Sequence, residues 1–446
     1  MNSRSAISFS EALRFWLKLG FISFGGPAGQ IAIMHRELVE RKRWISERRF
    51  LHALNYCMVL PGPEAQQLAT YIGWLMHGTW GGIVAGGLFV LPSLSILIAL
   101  SWIYVSFGNV PVVEGLLYGI KPAVTAIVLF AAWRIGGRTL KSTALIAIAA
   151  LAFAAIFLFG VPFPAIVLAA AVAGAIGGKF LPEQFSMGGH AAANIMETEA
   201  AIDDHTPTPP HAKFRWSRLI VSVTAGLAIW IGAMFILIAY GGFEGTLAQM
   251  GWFFTKAALL TFGGAYAVLP YVYQGAVETF QWLSPKQMID GLALGETTPG
   301  PLIMVVAFVG YLGGWTKAVL GPEALHVGAV LAAMVVTFFT FLPSFLFILI
   351  GGPLVESTHG QMRFTAPLTA ITAAVVGVIV NLGVFFAWKV WWPHASSGTP
   401  FAGGFEWFSM LLTALAATAL LTNRSGVIPI IFACGAAGIA KTLSGF

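Results

Sequence analysis

Charged residues are scarce in this chain of 446 residues. They make up 9% of it, whereas soluble domains carry roughly 25%, and 58% of its residues are hydrophobic, with a mean hydropathy of +0.83. So little charge cannot cover the surface of a folded soluble domain, which excludes a soluble globular protein. The short alternating pattern of a membrane-spanning β-barrel is also missing. We therefore predict an all-α polytopic membrane protein.

Cysteine and aspartate are nearly absent. Cys57 and Cys434 both lie in apolar stretches without a spaced framework, so we predict neither a disulfide nor a metal site. The three aspartates are Asp203, Asp204 and Asp290. They cannot supply a facing catalytic pair in the membrane, and residues 35–38 do not form the His-Glu-x-x-His motif of zinc proteases. We predict no cofactor and no enzymatic activity.

The formal net charge is +6, and the positive charge is concentrated in loops. The densest block runs from His35 to Arg49, between two apolar segments. Lysine and arginine beside membrane segments are typical of cytoplasmic loops, where they attract anionic lipid. We therefore predict the lipid bilayer as the partner of this block, and no nucleic acid.

Nine apolar stretches are candidate membrane crossings, because about 20 apolar residues span the hydrocarbon core. They cover residues 82–106, 114–133, 143–159, 162–178, 219–240, 326–350, 366–388, 406–422 and 427–441. The polar, proline-rich segment 179–218 predicts a linker. Its histidines, His190, His205 and His211, are irregularly spaced, which favours a solvated loop over a metal site.

Glycine and proline interrupt the apolar pattern at two motifs, Gly25-Gly26-Pro27 and Pro61-Gly62-Pro63. A proline removes a backbone donor and clashes with the preceding turn, so we predict that a helix breaks at each motif. Broken backbone at membrane depth is tolerated only where protein or water satisfies its polar groups. The breaks therefore indicate a binding site.

Both breaks recur 238 positions later, at Gly263-Gly264 and Pro299-Gly300-Pro301. Residues 15–63 and 253–301 share 13 identities in 49 ungapped positions, so one unit is written twice. We divide the chain into a first repeat (1–178), a cytoplasmic linker (179–218), a connecting membrane helix (219–240) and a second repeat (241–446). The connecting helix has no counterpart and would invert the second repeat. Inverted repeats with broken helices are typical of secondary transporters.

The distribution of lysine and arginine predicts the orientation. If both broken elements of a repeat enter and leave on one side, the loops outside hold only Lys286, Lys317, Lys389 and Lys441. The N-terminus, which shows no cleaved signal peptide, is then cytoplasmic and the C-terminus external. The alternative, in which the broken elements span, would place the basic block outside.

Long motifs around the breaks resemble those of the chromate ion transporter family. They are residues 24–30 (Phe-Gly-Gly-Pro-Ala-Gly-Gln), residues 60–73 (Leu-Pro-Gly-Pro-Glu-Ala-Gln-Gln-Leu-Ala-Thr-Tyr-Ile-Gly) and the second Pro-Gly-Pro. The two-repeat layout is similar to the long-chain, two-domain branch of that family. This resemblance implies chromate efflux across the bacterial inner membrane, which confers chromate resistance. In one departure, the second repeat reads Gly263-Gly264-Ala265 and lacks the proline of the first.

A tetrahedral dianion that loses water needs donors and positive potential, which half-helix N-termini supply. We expect the anion to approach the backbone at the glycines of the breaks, where no side chain intervenes. These are Gly25, Gly26, Gly62, Gly263, Gly264 and Gly300. The alternative is that the glycines only allow tight helix packing.

Ionisable side chains near the breaks are further candidates. Lys18 and Lys256 each lie seven residues before a glycine pair and could attract the anion, or their ammonium groups could reach the interface. Lys121 belongs to the same class. Glu64 and Glu296 are the carboxylates closest to the prolines, and a proton taken up there would compensate the charge of the anion, although Glu64 could instead cap its helix.

Neutral donors and broader alternatives complete the prediction. Gln66, Gln67 and Thr298 can bind an oxyanion without adding charge, or can make contacts between helices. Sulfate is the structural analogue of chromate, so a sulfate uptake carrier is the alternative function. An intramembrane enzyme lacks its motif, and a scaffold does not explain the matched breaks. Protons are the predicted coupling ion, and the sequence is compatible with a homo-oligomer.

Overall fold

In a computed structural model of the chain, the regular secondary structure of the described residues is helical, apart from one isolated β-bridge between Ile45 and Ile202. The described residues are 7–24, 26–108, 110–185, 200–203, 206, 209–262, 264–358, 365–395, 399–422 and 426–444. The all-α prediction is confirmed.

Sixteen α-helices are described along these residues, and they fall into two series of similar order. The first series is α1 (Phe9–Ile22), α2 (Gly26–His35), α3 (Glu47–Val59), α4 (Glu64–Phe107), α5 (Pro111–Thr139), α6 (Thr143–Phe159) and α7 (Phe163–Phe180). A single helix, α8 (Trp216–Gly241), follows. The second series is α9 (Thr246–Leu259), α10 (Ala265–Tyr273), α11 (Pro285–Thr297), α12 (Val305–Thr316), α13 (Leu325–Thr358), α14 (Thr365–Trp391), α15 (Trp407–Leu421) and α16 (Val427–Ser444).

The two series agree in local detail over the segment that repeats in sequence. A π-helical turn follows α2 at Arg36–Arg41 and follows α10 at Gln274–Thr279, again 238 positions apart. The helices α3 and α11 also begin and end 238 positions apart. Each is capped by a serine whose hydroxyl accepts from a backbone N–H three residues on, Ser46 in α3 and Ser284 in α11. The same local sequence thus gives the same local structure twice, whereas the inverted orientation of the second series stays a prediction.

Helix α4 is two helices joined at a kink. His77 and Gly78 have non-helical backbone, and Gly78 has a φ of +66°. The second of these helices contains the crossing predicted at 82–106. In the second series the same two parts are separate helices, α12 and α13.

All nine predicted crossings coincide with helices. Seven helical segments are long and apolar enough to cross a bilayer, and these include the second part of α4. The two predicted crossings at 143–159 and 406–422 form α6 and α15, which are apolar but shorter. Only 11% of the residues in the most apolar 18-residue stretch of the connecting helix α8 are buried. The helix therefore lies at the periphery, where apolar side chains can face lipid.

The two series interlock through their later helices. The most buried spans are those of α5 and α14, each 72% buried, and they pack against each other. Helix α5 of the first series also packs against α15 and α16 of the second, while α14 packs against α6 and α7 of the first. Each series therefore completes its core with helices of the other.

The linker contacts the basic block. The backbone N–H of Ile202 donates to the Trp44 carbonyl at 3.0 Å, and the Ser46 N–H donates to the Ile202 carbonyl at 2.9 Å. His211 packs edge-on against Trp74, with ring centroids 5.6 Å apart, so the prediction of a solvated loop is wrong for this histidine. His190 and His205 lie outside the described residues.

Candidate functional site

At the first break of each series, a residue with a hydroxyl side chain follows the end of a helix. Helix α1 ends at Ile22 and α9 ends at Leu259, shortly before their glycine motifs. The Ser23 hydroxyl donates to the Leu19 carbonyl at 2.7 Å, and the Thr261 hydroxyl donates to the Ala257 carbonyl at the same distance. These bonds satisfy one C-terminal carbonyl of each helix. The backbone carbonyls of Ser23 and Thr261 lie beyond the last helical residue and therefore have no intrahelical N–H partner.

The second break of each series depends on a glycine in a left-handed conformation. Gly62 has a φ of +127° and Gly300 a φ of +101°, between α3 and α4 and between α11 and α12 respectively. A residue with a Cβ atom is strained in this region. Glycine is therefore required at both positions by the backbone itself, before any ligand is considered.

The four breaks meet through hydrogen bonds between the series. The Gly62 N–H donates to the Thr261 carbonyl at 2.7 Å, and the Gly300 N–H donates to the Ser23 carbonyl at 2.7 Å. The Gln30 amide also donates to the Gly300 carbonyl at 2.5 Å. Each Pro-Gly-Pro break is thus tied to the glycine break of the other series. Each such pair of breaks forms one half-site. We call them the 26/300 half-site (Gly26 with Gly300) and the 62/264 half-site (Gly62 with Gly264).

The half-sites lie side by side. A Cβ atom placed on Gly264 would stand 4.0 Å from the Pro27 side chain, so the first breaks of the two series approach each other. Gly264 has a φ of +99° and Gly26 a φ of +67°, and each stands at the start of a half-helix, α10 and α2. The unpaired N–H groups of the first turn and the helix dipole favour an anion at such termini. Gly25 and Gly263 lie outside the described residues.

A small cleft, with a volume of about 20 Å³, opens at the 26/300 half-site. Its lining is Gly26, Gly295, Glu296, Thr298, Gly300, Leu302, Val427 and Ile428. The Tyr266 hydroxyl donates to the Glu296 carboxyl at 2.6 Å, and the Thr298 hydroxyl donates to the Gly295 carbonyl at 2.9 Å. Backbone glycines, one carboxyl group and one hydroxyl therefore share a cleft. Four of the residues proposed from sequence, Gly26, Glu296, Thr298 and Gly300, lie in it, and their binding of an anion stays a prediction.

The 62/264 half-site has its own carboxyl group. Glu64 is the first residue of α4 and is partly buried. Gln66 and Gln67 follow it and are fully buried. The Gln67 amide donates to the Pro61 carbonyl at 2.8 Å, and that of Gln66 donates to the Thr70 hydroxyl at 2.9 Å. Glu64 and Glu296 are not equivalent in sequence, yet the fold places one beside each half-site.

The lysines of α1 and α9 lie away from the cleft. Lys18 is on the exposed face of α1 and Lys256 on the exposed face of α9, where its Nζ stands 5.8 Å from the centre of the Trp252 ring. The opposite faces, with Leu19 and Ala257, are the buried ones. Neither lysine is among the residues that line the cleft, so direct contact with an anion stays a prediction.

Sequence reasoning missed a buried ion pair. Lys121 Nζ on α5 lies 3.3 Å from Asp290 Oδ1 on α11, and the Tyr104 hydroxyl on α4 donates to Asp290 Oδ2 at 3.0 Å. Asp290 is 1% exposed. The sequence shows that Lys121 is a cation in an apolar stretch. Neither the repeat nor a helical spacing connects Lys121 with Asp290, so the sequence gives no sign that the two residues pair.

The sequence model of one family matches both series. It is described as chromate transporter, and it matches residues 10–175 and 248–439. This chain belongs to the chromate transporter family. The two matched segments cover α1 to α7 and most of α9 to α16, so each series corresponds to one copy of the family unit.

Similar full-length proteins carry matching descriptions. The chain is 32% identical to the "Chromate transport protein" of Pseudomonas aeruginosa, over 97% of this chain and 92% of that protein. It is 29% identical to the "Probable chromate transport protein" of Synechococcus elongatus, over 86% of both chains. It is 28% identical to the "Chromate transport protein" of Cupriavidus metallidurans, over 87% of this chain and 84% of that protein. No solved structure matches this chain.

Proposed function

We propose that the chain is a secondary transporter that moves chromate out of the bacterial cytoplasm across the inner membrane and so confers chromate resistance. The observation that carries this proposal is the match of both series to the chromate transporter family, in a fold whose four helix breaks meet at one place. It acts as a carrier and not as an enzyme.

The anion binds at the half-helix N-termini of the two half-sites. Chromate is a tetrahedral dianion, and the first turns of α2, α4 and α10 offer N–H groups that no intrahelical carbonyl uses. Where Gly26 and Gly264 would carry a Cβ atom, no atom stands closer than 4.0 Å, so an oxygen atom of the anion can approach the backbone there. Gln66 and Gln67 each keep a second amide hydrogen and add neutral donors, whereas Thr298 donates to the oxyanion only if its bond to the Gly295 carbonyl opens.

Glu64 and Glu296 carry the coupling proton. A carboxyl group beside each half-site can be neutral when a dianion is bound and charged when it has left, because like charges at short distance do not both persist in a medium of low dielectric constant. A proton that moves together with the anion would lower the net charge that crosses the membrane. Protons are therefore the coupling ion of this proposal.

Chromate is favoured over sulfate as the transported anion. The descriptions of the similar proteins name chromate. Sulfate is also a tetrahedral dianion with four oxygen atoms, so it can accept hydrogen bonds from the same donors. Sulfate is then expected to compete for the site with lower affinity. A sulfate carrier running inward would instead show sulfate uptake that chromate merely inhibits.

Transport in vesicles tests the proposal. Inside-out vesicles that contain the protein should accumulate radiolabelled chromate when the external medium is acidified, since the cytoplasmic face is outside and protons move inward with the anion. Vesicles that lack the protein should not. We expect Glu296→Gln and Glu64→Gln to lose most of the stimulation by the gradient. Glu244→Gln, at an exposed loop carboxyl, should behave as the parent. Accumulation of sulfate but not chromate, or no accumulation of either, would refute chromate export.

A further inference from the structure

Two hydroxyl groups at matched positions are buried without a partner. Ser93 lies in α4 and Ser344 in α13, each directly after a proline in the repeated sequence Leu-Pro-Ser. Both side chains are 0% exposed. Neither Oγ atom has a hydrogen-bond partner within the described ranges. A buried polar group that stays unpaired is rare in folded proteins, so each of these hydroxyls needs an explanation.

Other hydroxyls on the same two helices are satisfied by their own backbone. Ser95 and Ser101 of α4 donate to the Leu91 and Leu97 carbonyls at 3.0 and 2.6 Å. Thr337 and Thr340 of α13 donate to the carbonyls four residues earlier at 2.8 and 2.7 Å. This bond is the usual outcome for serine and threonine within a helix. The free hydroxyls of Ser93 and Ser344 are therefore particular to their positions.

Each free hydroxyl lies against the glycine of a Pro-Gly-Pro break from the other series. A Cβ atom on Gly300 would stand 2.8 Å from Ser93 Cβ and 3.2 Å from Ser93 Oγ. A Cβ atom on Gly62 would collide with Ser344 Oγ. Ser93 therefore belongs to the 26/300 half-site, whose cleft Gly300 lines, and Ser344 belongs to the 62/264 half-site.

We propose that Ser93 and Ser344 are substrate ligands, one in each half-site, and that their hydroxyl hydrogens donate to oxygen atoms of the bound oxyanion. This inference rests on the proposed function and adds the residues that contact the anion. A hydroxyl donor suits an intramembrane anion site because it binds oxygen without bringing a buried charge that must be neutralised when the site is empty. Both half-sites are then binding positions, and each takes its serine from one series and its Pro-Gly-Pro backbone from the other.

Substitution of the serines by alanine tests the proposal, because alanine removes one oxygen atom and adds no bulk. We expect Ser93→Ala and Ser344→Ala each to weaken chromate binding about 10-fold or more, the range expected for a hydrogen bond to a charged group. Binding is measured with purified protein and potassium chromate by calorimetry. Thermal unfolding without chromate should stay at or above that of the parent, since a buried unpaired group has been removed.

Two controls make the outcomes distinct. Ser95→Ala removes an exposed, internally bonded hydroxyl two residues from Ser93 and should keep the affinity of the parent. If the parent binds chromate and both Ser93→Ala and Ser344→Ala retain its affinity, the assignment of the serines is overturned while the proposed function stands. If the parent binds neither chromate nor sulfate, the proposed function fails and the assignment fails with it.

Discussion

Asp290 shows how a single residue ties the two series together. It belongs to α11 of the second series, whereas its partners Lys121 and Tyr104 belong to the first. A buried ion pair adds little stability compared with apolar residues of the same volume. Removal of one partner, however, leaves an uncompensated charge, and this costs much more.

We expect Lys121→Met to lower the free energy of unfolding by about 3–5 kcal/mol, because Asp290 then loses its cation. The double variant Lys121→Met/Asp290→Leu should recover most of this loss, since no charge is left buried. Thermal unfolding of the purified proteins in detergent measures both. Lys256→Met is the matched control, because that ammonium is exposed, and it should unfold close to the parent. Equal unfolding temperatures for Lys121→Met and Lys256→Met would contradict the pairing.

At the scale of helices, glycine sets the closest contact between the series. A Cβ atom on Gly119 of α5 would collide with the Cys434 carbonyl of α16, and one on Gly438 of α16 would collide with the Gly115 carbonyl of α5. Small residues that let two backbones approach are the usual basis of helix association in a bilayer, where lipid is as apolar as the side chains. The contact between α5 and α16 therefore depends on the absence of side chains at these positions.

We expect Gly119→Ala and Gly438→Ala each to lower stability by about 1–3 kcal/mol, because the helices must separate to admit the added methyl group. Gly137→Ala on the same helix α5 is the control, since its Cβ would meet no atom within 4 Å. Unfolding temperature after purification in the same detergent compares the three. If Gly119→Ala is as stable as Gly137→Ala, the close approach does not limit packing.

The helices and their breaks could be predicted from sequence more fully than their packing. Proline and glycine act on the backbone of their own turn, so the breaks near Gly26 and Gly62 were predictable within a few residues. Which face of a helix is buried depends on helices far away in the chain. The sequence could not show that Lys18 and Lys256 lie on exposed faces, or that Gly62 donates to Thr261. It did contain the repeated Leu-Pro-Ser that holds Ser93 and Ser344, and a hydroxyl after an intrahelical proline is the signal that could have found them.

At the scale of the whole molecule, the charge distribution predicts the orientation of the chain. A cysteine that replaces Arg41 should react with an impermeant thiol reagent only after intact cells are permeabilised, whereas one that replaces Lys317 should react from outside. Both side chains are exposed in the fold, so access depends on the side of the membrane alone. The native thiols of Cys57 and Cys434 are buried and should give little background. Labelling at position 41 in intact cells would refute a cytoplasmic basic block.

The hydrogen bonds between the breaks bear on how such a molecule can be assembled. Gly62 and Gly300 each donate to a carbonyl of the other series, so neither half-site closes within one copy of the family unit. A polypeptide of half this length would need a second subunit to complete either position, and the reciprocal pair of bonds requires two such subunits. Fusion into one chain fixes that stoichiometry. It also allows the two copies to differ in sequence. Pro27 of the first copy aligns with Ala265 of the second, and the carboxyl groups beside the two half-sites, Glu64 and Glu296, lie at positions that do not align with each other.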